Sequence, residues 1–107
     1  MEKLQKEGPR MSLHTLKVLK VMVENPDSDF YGLELVEQTR IKSGTLYPIL
    51  MRLEGTGWLE SDLENIDPKV AGRRARRYYR LTTVGLKRAR EEVRGAQEAL
   101  SFQPRLA

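Results

Sequence analysis

After Gly57 the spacing of apolar residues changes period, and that switch limits the fold more than any other feature of the chain. Upstream, apolar side chains recur at three- and four-residue intervals, as in helices buried along one face. Leu13, Leu16, Leu19 and Val23 have that spacing in a first helix capped by Ser12 and running to about Glu24, where Asn25-Pro26 stops it. Val18, Val21 and Met22 add apolar surface on its other faces, so burial on two sides is expected. Downstream, Leu59, Ser61 and Leu63 alternate with Glu60, Asp62 and Glu64. Arg77, Tyr79 and Leu81 alternate in the same way with Arg76, Tyr78 and Arg80. Both runs have strand spacing, and the stretch from Asn65 to Ala75 between them has turn chemistry in Asp67-Pro68 and Gly72. A β-hairpin is expected.

Two further helices precede the hairpin. Asp27, Ser28 and Asp29 offer caps for one from about Phe30 to Thr39, with Phe30, Leu33 and Val36 on its inner face. A short link, Arg40-Ile41-Lys42, leads to a third helix capped by Ser43 or Thr45, which carries Leu46, Ile49, Leu50 and Leu53 inward. Pro48 is expected in or next to its first turn, where little backbone bonding is lost, and Gly55 and Gly57 end it. A last helix, capped by Thr82 or Thr83, runs to about Phe102, and Gln103-Pro104 stops it. With 107 residues the chain holds one domain and one modest core. The expected fold class is mainly α with a small β-hairpin, a winged helix-turn-helix over 11–82. Residues 1–10 are expected as a flexible lead, 83–103 as a C-terminal dimerisation helix and 104–107 as a tail.

The charge is localised. Of 19 basic residues, six fall between Lys69 and Arg80 with no acid among them, and outside that window 13 basic residues stand against 15 acidic ones. Glu60, Asp62, Glu64 and Asp67 lie just before it. A cationic patch on a near-neutral body is the electrostatic footprint of a nucleic-acid binder. Five of the six are arginine, interleaved with Tyr78 and Tyr79, and arginine pairs bidentately with phosphates and base edges.

These residues also resemble the PadR-type transcriptional regulators. The matching blocks are Tyr31-Gly32, then Ser43-Gly44-Thr45-Leu46-Tyr47-Pro48-Ile49-Leu50, Arg52-Leu53-Glu54 and Gly57-Trp58-Leu59. Arg76-Arg77-Tyr78-Tyr79-Arg80-Leu81-Thr82 and Gly85 follow in the same order, so the resemblance spans about residues 12 to 90. It implies a DNA-binding regulator with an inverted-repeat operator, and a short form of the family with a single C-terminal helix.

With Leu46, Leu50 and Leu53 inward, the third helix leaves Lys42, Ser43, Thr45, Tyr47, Met51 and Arg52 outward or near its start. Its first-turn N–H groups and dipole favour a phosphate. Thr45 and Tyr47 can reach base edges or phosphates, and Lys42 and Arg52 add charge. Tyr47 stays open between packing and DNA contact on spacing alone, and the resemblance favours contact. Arg73, Arg74, Arg76 and Arg77 on the wing are expected on phosphates or in the adjacent minor groove. Tyr79 and Leu81, on the strand face opposite Arg76, Tyr78 and Arg80, are expected in the core, as is Trp58. Tyr31 reads as core packing, and Gly32 as a site of close helix approach.

In the last helix Leu86, Ala89, Val93, Ala96 and Leu100 are spaced as a heptad seam. Leu86 is expected on its own domain and the remainder against another helix. The resemblance implies a homodimer built from this helix and the partner's first helix, which places Val18, Met22, Ala89, Val93, Ala96 and Leu100 at the interface.

The chain has no cysteine, and His14 is its only histidine, which excludes a thiolate or His-rich metal site and a disulfide framework. No phosphate loop, paired-acid cleft or nucleophile elbow occurs, so no enzyme, cofactor or metal is expected. No apolar run approaches the roughly 18 residues of a membrane span, and MEKLQKEGPR lacks a signal peptide's apolar stretch, so a cytoplasmic location is expected. The resemblance leaves open a small aromatic effector at the dimer interface, with Phe102 as a candidate contact. The expected partners are double-stranded DNA and a second copy of the chain. The alternative reading is a winged-helix protein-interaction module whose basic wing binds an acidic protein.

Overall fold

The computed structural model describes residues 11–101. Helix α1 spans Leu13–Glu24, and the Ser12 side chain caps it by accepting from the Thr15 N–H at 3.1 Å. Its buried face is Thr15, Val18, Leu19 and Met22, whereas Leu13 is 68% exposed. The helix is therefore turned relative to the expected Leu13–Leu16–Leu19–Val23 face. With apolar residues on more than one side, only packing against the rest of the fold selects the inner one.

The second segment also differs from expectation. Phe30–Tyr31 is a short strand, β1, and helix α2 begins only at Gly32 and runs to Thr39. The Asp27–Asp29 caps are not used; Tyr31 is the N-cap, and its N–H donates to the Glu34 carboxylate at 2.9 Å. The later start turns Gly32, Leu35 and Thr39 inward and leaves Leu33 67% exposed, against the expected inward Leu33. Arg40, at φ 62°, ends the helix in a left-handed turn, and Ile41 is buried beyond it.

Helix α3 spans Ser43–Gly55 and buries Leu46, Ile49, Leu50 and Leu53, as the spacing requires. Lys42 is its N-cap, with no side-chain cap bond, so neither Ser43 nor Thr45 has that role. Pro48 is the sixth helical residue and not in the first turn, so the Gly44 carbonyl loses its helical donor. Gly44 is exposed, which lets water take that donor's place.

Strands β2 (Leu59–Leu63) and β3 (Arg77–Leu81) form the expected antiparallel pair, with Leu59 opposite Leu81 and Leu63 opposite Arg77. The connecting stretch holds a one-turn helix, α4 (Pro68–Ala71), capped by Asp67 and closed by Gly72 at φ 74°. β1 adds to the free edge of β3, pairing Phe30 with Tyr79 and Tyr31 with Tyr78. The sheet order is β1-β3-β2. Helix α5 spans Thr83–Leu100, capped by Thr82, and packs along α1. A Cβ on Gly85 would lie 1.9 Å from the Trp58 carbonyl oxygen, so glycine there lets α5 start directly against the β2 entry. The result is a mainly helical winged helix-turn-helix whose core joins all of these elements except α4.

Candidate nucleic-acid interface

The outer face of α3 is open. Lys42, Ser43, Thr45, Tyr47, Met51 and Arg52 are all exposed, as the sequence reading requires. Lys42 and Arg52 form no ion pair among the described residues. No side chain caps the helix; the Thr45 N–H already donates to the Lys42 carbonyl at 2.9 Å, so the N–H groups of Ser43 and Gly44 are the ones left for an anion. Tyr47 is 37% exposed and its ring lies over Gly32, where a Cβ would come within 2.2 Å of the phenolic oxygen. It therefore packs on α2 while presenting one side outward, which combines the two readings of this residue.

The wing arginines differ in their surroundings. Arg73 makes a two-pronged pair with Glu64, one guanidinium nitrogen 2.6 Å from Oε1 and the other 3.1 Å from Oε2. The Arg76 N–H donates to the same carboxylate at 2.9 Å, and the Tyr31 hydroxyl donates to it at 3.0 Å. The Arg73 guanidinium, followed by the Arg76 N–H, holds the Glu64 carboxyl down to about 2. Bonding to that carboxylate raises the Tyr31 phenol in turn. Arg77 donates to the Ser61 hydroxyl at 3.0 Å, which donates to Glu54 at the end of α3 at 2.7 Å. The Arg76 guanidinium sits 5.9 Å from the Tyr31 ring centre, and Arg74 is exposed. Arg73, Arg74, Arg76 and Arg77 are thus gathered on one wing, but the charge of Arg73 is locally offset. Between wing and helix a cleft of about 360 Å³ is lined by Tyr31, Gly32, Leu33, Glu34, Tyr47, Arg76, Arg77 and Tyr79.

Three participants carry no site signal in the sequence. Glu64 stood in an acidic run whose partners lie across the loop, with no local pattern to single it out. Tyr31, expected as core packing, is half-buried and spends its hydroxyl on Glu64 while its ring meets Tyr78 edge-on at 6.3 Å. Arg80 pairs with Asp29 at 3.1 Å and lies over the Tyr78 ring, which ties the approach to β1 to the sheet.

The expected interface on α1 and α5 requires correction. Val18, Met22 and Ala89 are fully buried within the protomer and Val93 nearly so, because α5 packs on its own α1. They have almost no surface left for a second copy. Of the six residues assigned to that interface, Ala96 is half-buried and Leu100 exposed. Both line an apolar groove with Leu13, Leu16 and Val93, bordered by Lys17, Lys20 and Gln97. The groove lining among the described residues is aliphatic, and Trp58 is buried in the core, as expected. Phe102 lies outside the described residues. His14 is exposed, and among the described residues no cluster of three His, Cys, Asp or Glu could hold a metal. No described helix is long and apolar enough to cross a membrane.

Comparison with known proteins bears on this surface. Residues 18–91 match the transcriptional regulator PadR-like family. Transcriptional regulator Rv3488 of Mycobacterium tuberculosis is 34% identical over 85 residues, 75% of each chain. The crystal structure of a PadR family transcription regulator from Clostridium difficile is similar at 28% identity and a TM-score of 0.57, covering 79% of this chain and 93% of that one. Lactococcus lactis ZitR superposes with a TM-score of 0.66 over 94% of this chain. At 15% identity that likeness is one of fold alone, and this chain spans 62% of the ZitR chain.

Proposed function

The chain belongs to the PadR-like family of transcriptional regulators, DNA-binding proteins and not enzymes, and from that premise we propose that it is a dimeric repressor reading an inverted-repeat operator. Helix α3 enters the major groove, with Thr45, Tyr47 and Arg52 toward base edges and Lys42 and Ser43 at a phosphate. Arg74, Arg76 and Arg77 meet flanking phosphates or the adjacent minor groove, and Arg73 borders them from its pair with Glu64. The observation that carries this reading is the shared cleft: Tyr47 of α3 and Arg76 and Arg77 of the wing line one surface together with the start of α2. The aliphatic α1–α5 groove supports a two-fold partner, since Leu13 and Leu100 are large apolar side chains left exposed beside it.

Selection of bound sequences from a random duplex pool at near-physiological salt tests the proposal. The expected product is an inverted repeat with half-sites about one helical turn, roughly 10 base pairs, apart. Weak enrichment without a motif would overturn it in favour of a basic wing that binds an acidic protein.

A further inference from the structure

The wing contains a carboxylate that a phosphate-binding surface would be expected to exclude. Glu64 stands one residue past β2, its side chain only 13% exposed, and both oxygens are fully engaged. Oε1 accepts from Arg73 at 2.6 Å and from the Arg76 N–H at 2.9 Å. Oε2 accepts from Arg73 at 3.1 Å and from the Tyr31 hydroxyl at 3.0 Å. The Glu64 N–H also donates to the Arg76 carbonyl at 2.9 Å. These donors come from three places: the loop after α4, the residue before β3, and the N-cap of α2. A carboxylate has about four acceptor positions, and here each has a donor.

We propose that Glu64 is a positioning residue for DNA recognition: it clamps the wing to the start of α2 and so fixes Arg74, Arg76 and Arg77 relative to α3. The inference rests on the DNA-binding reading above. Its physical content is a conflict of sign. Removing Glu64 deletes a negative charge and releases the Arg73 guanidinium, so electrostatics alone tightens binding to every duplex. Removing the clamp frees the loop between β2 and β3, and phosphate contacts set register only when they are held in place. The clamp matters for the specific complex, where the arginines must reach defined phosphates, and not for non-specific binding.

The test compares Glu64→Ala and the milder Glu64→Gln with the unaltered protein on the selected operator and on a scrambled duplex, with thermal melting and amide exchange alongside. The expected result for Glu64→Ala is an operator affinity lower by about tenfold, the scale of one lost charge-assisted contact. Scrambled-duplex affinity stays equal or rises, and Glu64→Gln falls between. Operator affinity that is equal or tighter overturns the proposal. So does a parallel loss on both duplexes that tracks a lower melting temperature, because that is a general structural effect. Amide exchange separates failure of the clamp from failure of the DNA reading. Unchanged protection of the Arg76 N–H in Glu64→Ala overturns the clamp. Faster exchange in a protein that selects no duplex supports the clamp and overturns its role in recognition together with the DNA reading.

Discussion

Replacing Arg74, Arg76 and Arg77 together by alanine should change the salt dependence of DNA binding by an amount that can be worked out in advance. All three side chains are exposed, and none forms an ion pair among the described residues. The bond from Arg77 to the Ser61 hydroxyl is to a neutral group and leaves its charge uncancelled. If each neutralises one phosphate, each contributes about 0.9 to the slope of log K against log salt, and the triple substitution lowers the slope by about 2.7. At about 0.15 M salt each such contact is worth roughly fivefold in affinity, so the variant should bind between about 100- and 200-fold more weakly. Fluorescence anisotropy titrations across a salt series read both quantities. The melting temperature should hardly move, since these side chains stand on the surface. A slope change below about one unit for the triple variant would refute the reasoning.

Because Glu64 titrates at about 2 in the folded chain, below its ordinary value of 4.5, it stabilises the wing fully above that ordinary value. The contribution declines as pH falls from there and is lost once pH passes about 2. Amide signals of Arg76 followed by NMR should therefore stay in place through pH 4.5, and a transition centred there would contradict the clamp geometry. Gly85→Ala forces a methyl against the Trp58 backbone carbonyl, which also accepts from the Thr82 N–H at 3.0 Å, so the backbone must shift. A loss of about 1–3 kcal/mol is expected in chemical denaturation, and an unchanged midpoint would show that α5 can move aside freely. Leu13→Asp with Leu100→Asp should convert the proposed dimer to monomer in sedimentation without unfolding it, because both side chains are exposed in the protomer. Persistence of the dimer would place the interface elsewhere.

Legibility of the fold in the sequence followed how local each element's cause is. Helix α3, the hairpin and α5 could be read from apolar spacing, since Leu46, Leu50 and Leu53, or Leu59 and Leu81, state their faces without outside help, whereas the cap of α3 is Lys42 and not Ser43 or Thr45. Strand β1 could not. Two residues cannot show an alternation, and Phe30 and Tyr31 are extended because β3 offers them a free edge from nearly fifty positions away. That pairing in turn delays α2 and sends Leu33 outward. On α1 the ambiguity was of another kind: the helix is apolar on two sides, and periodicity cannot say which side meets its own core. Val18 and Met22 therefore read as partner-facing, although they are buried in the core of their own protomer. In the candidate interface, exposure of the α3 face followed from what that helix must bury. The role of Glu64 did not, because its donors are assembled by tertiary structure, and an acid beside arginines reads in sequence as a solvated charge.

Strand β3 explains why helix and wing can act as one reading surface. It is the central strand, paired on one side with β2, which leads into the wing, and on the other with β1, which runs straight into α2. Tyr31 is the last residue of β1, the N-cap of α2 and a donor to Glu64, so the chain leaves the sheet, starts a helix and clamps the wing at one residue. Gly32 follows directly and seats the Tyr47 ring, which orients the outer face of α3. A shift of the wing therefore has to break sheet bonds, the Glu64 cluster or the Tyr47 contact. Within one protomer the distance from the α3 face to the wing arginines is fixed by these connections. Under the proposed dimer, the distance between two such surfaces depends instead on the α1–α5 groove, through Leu13, Leu16, Ala96 and Leu100. Substitutions around Tyr31 and Gly32 should then alter which half-site is read, while substitutions in the groove should alter the spacing tolerated between half-sites.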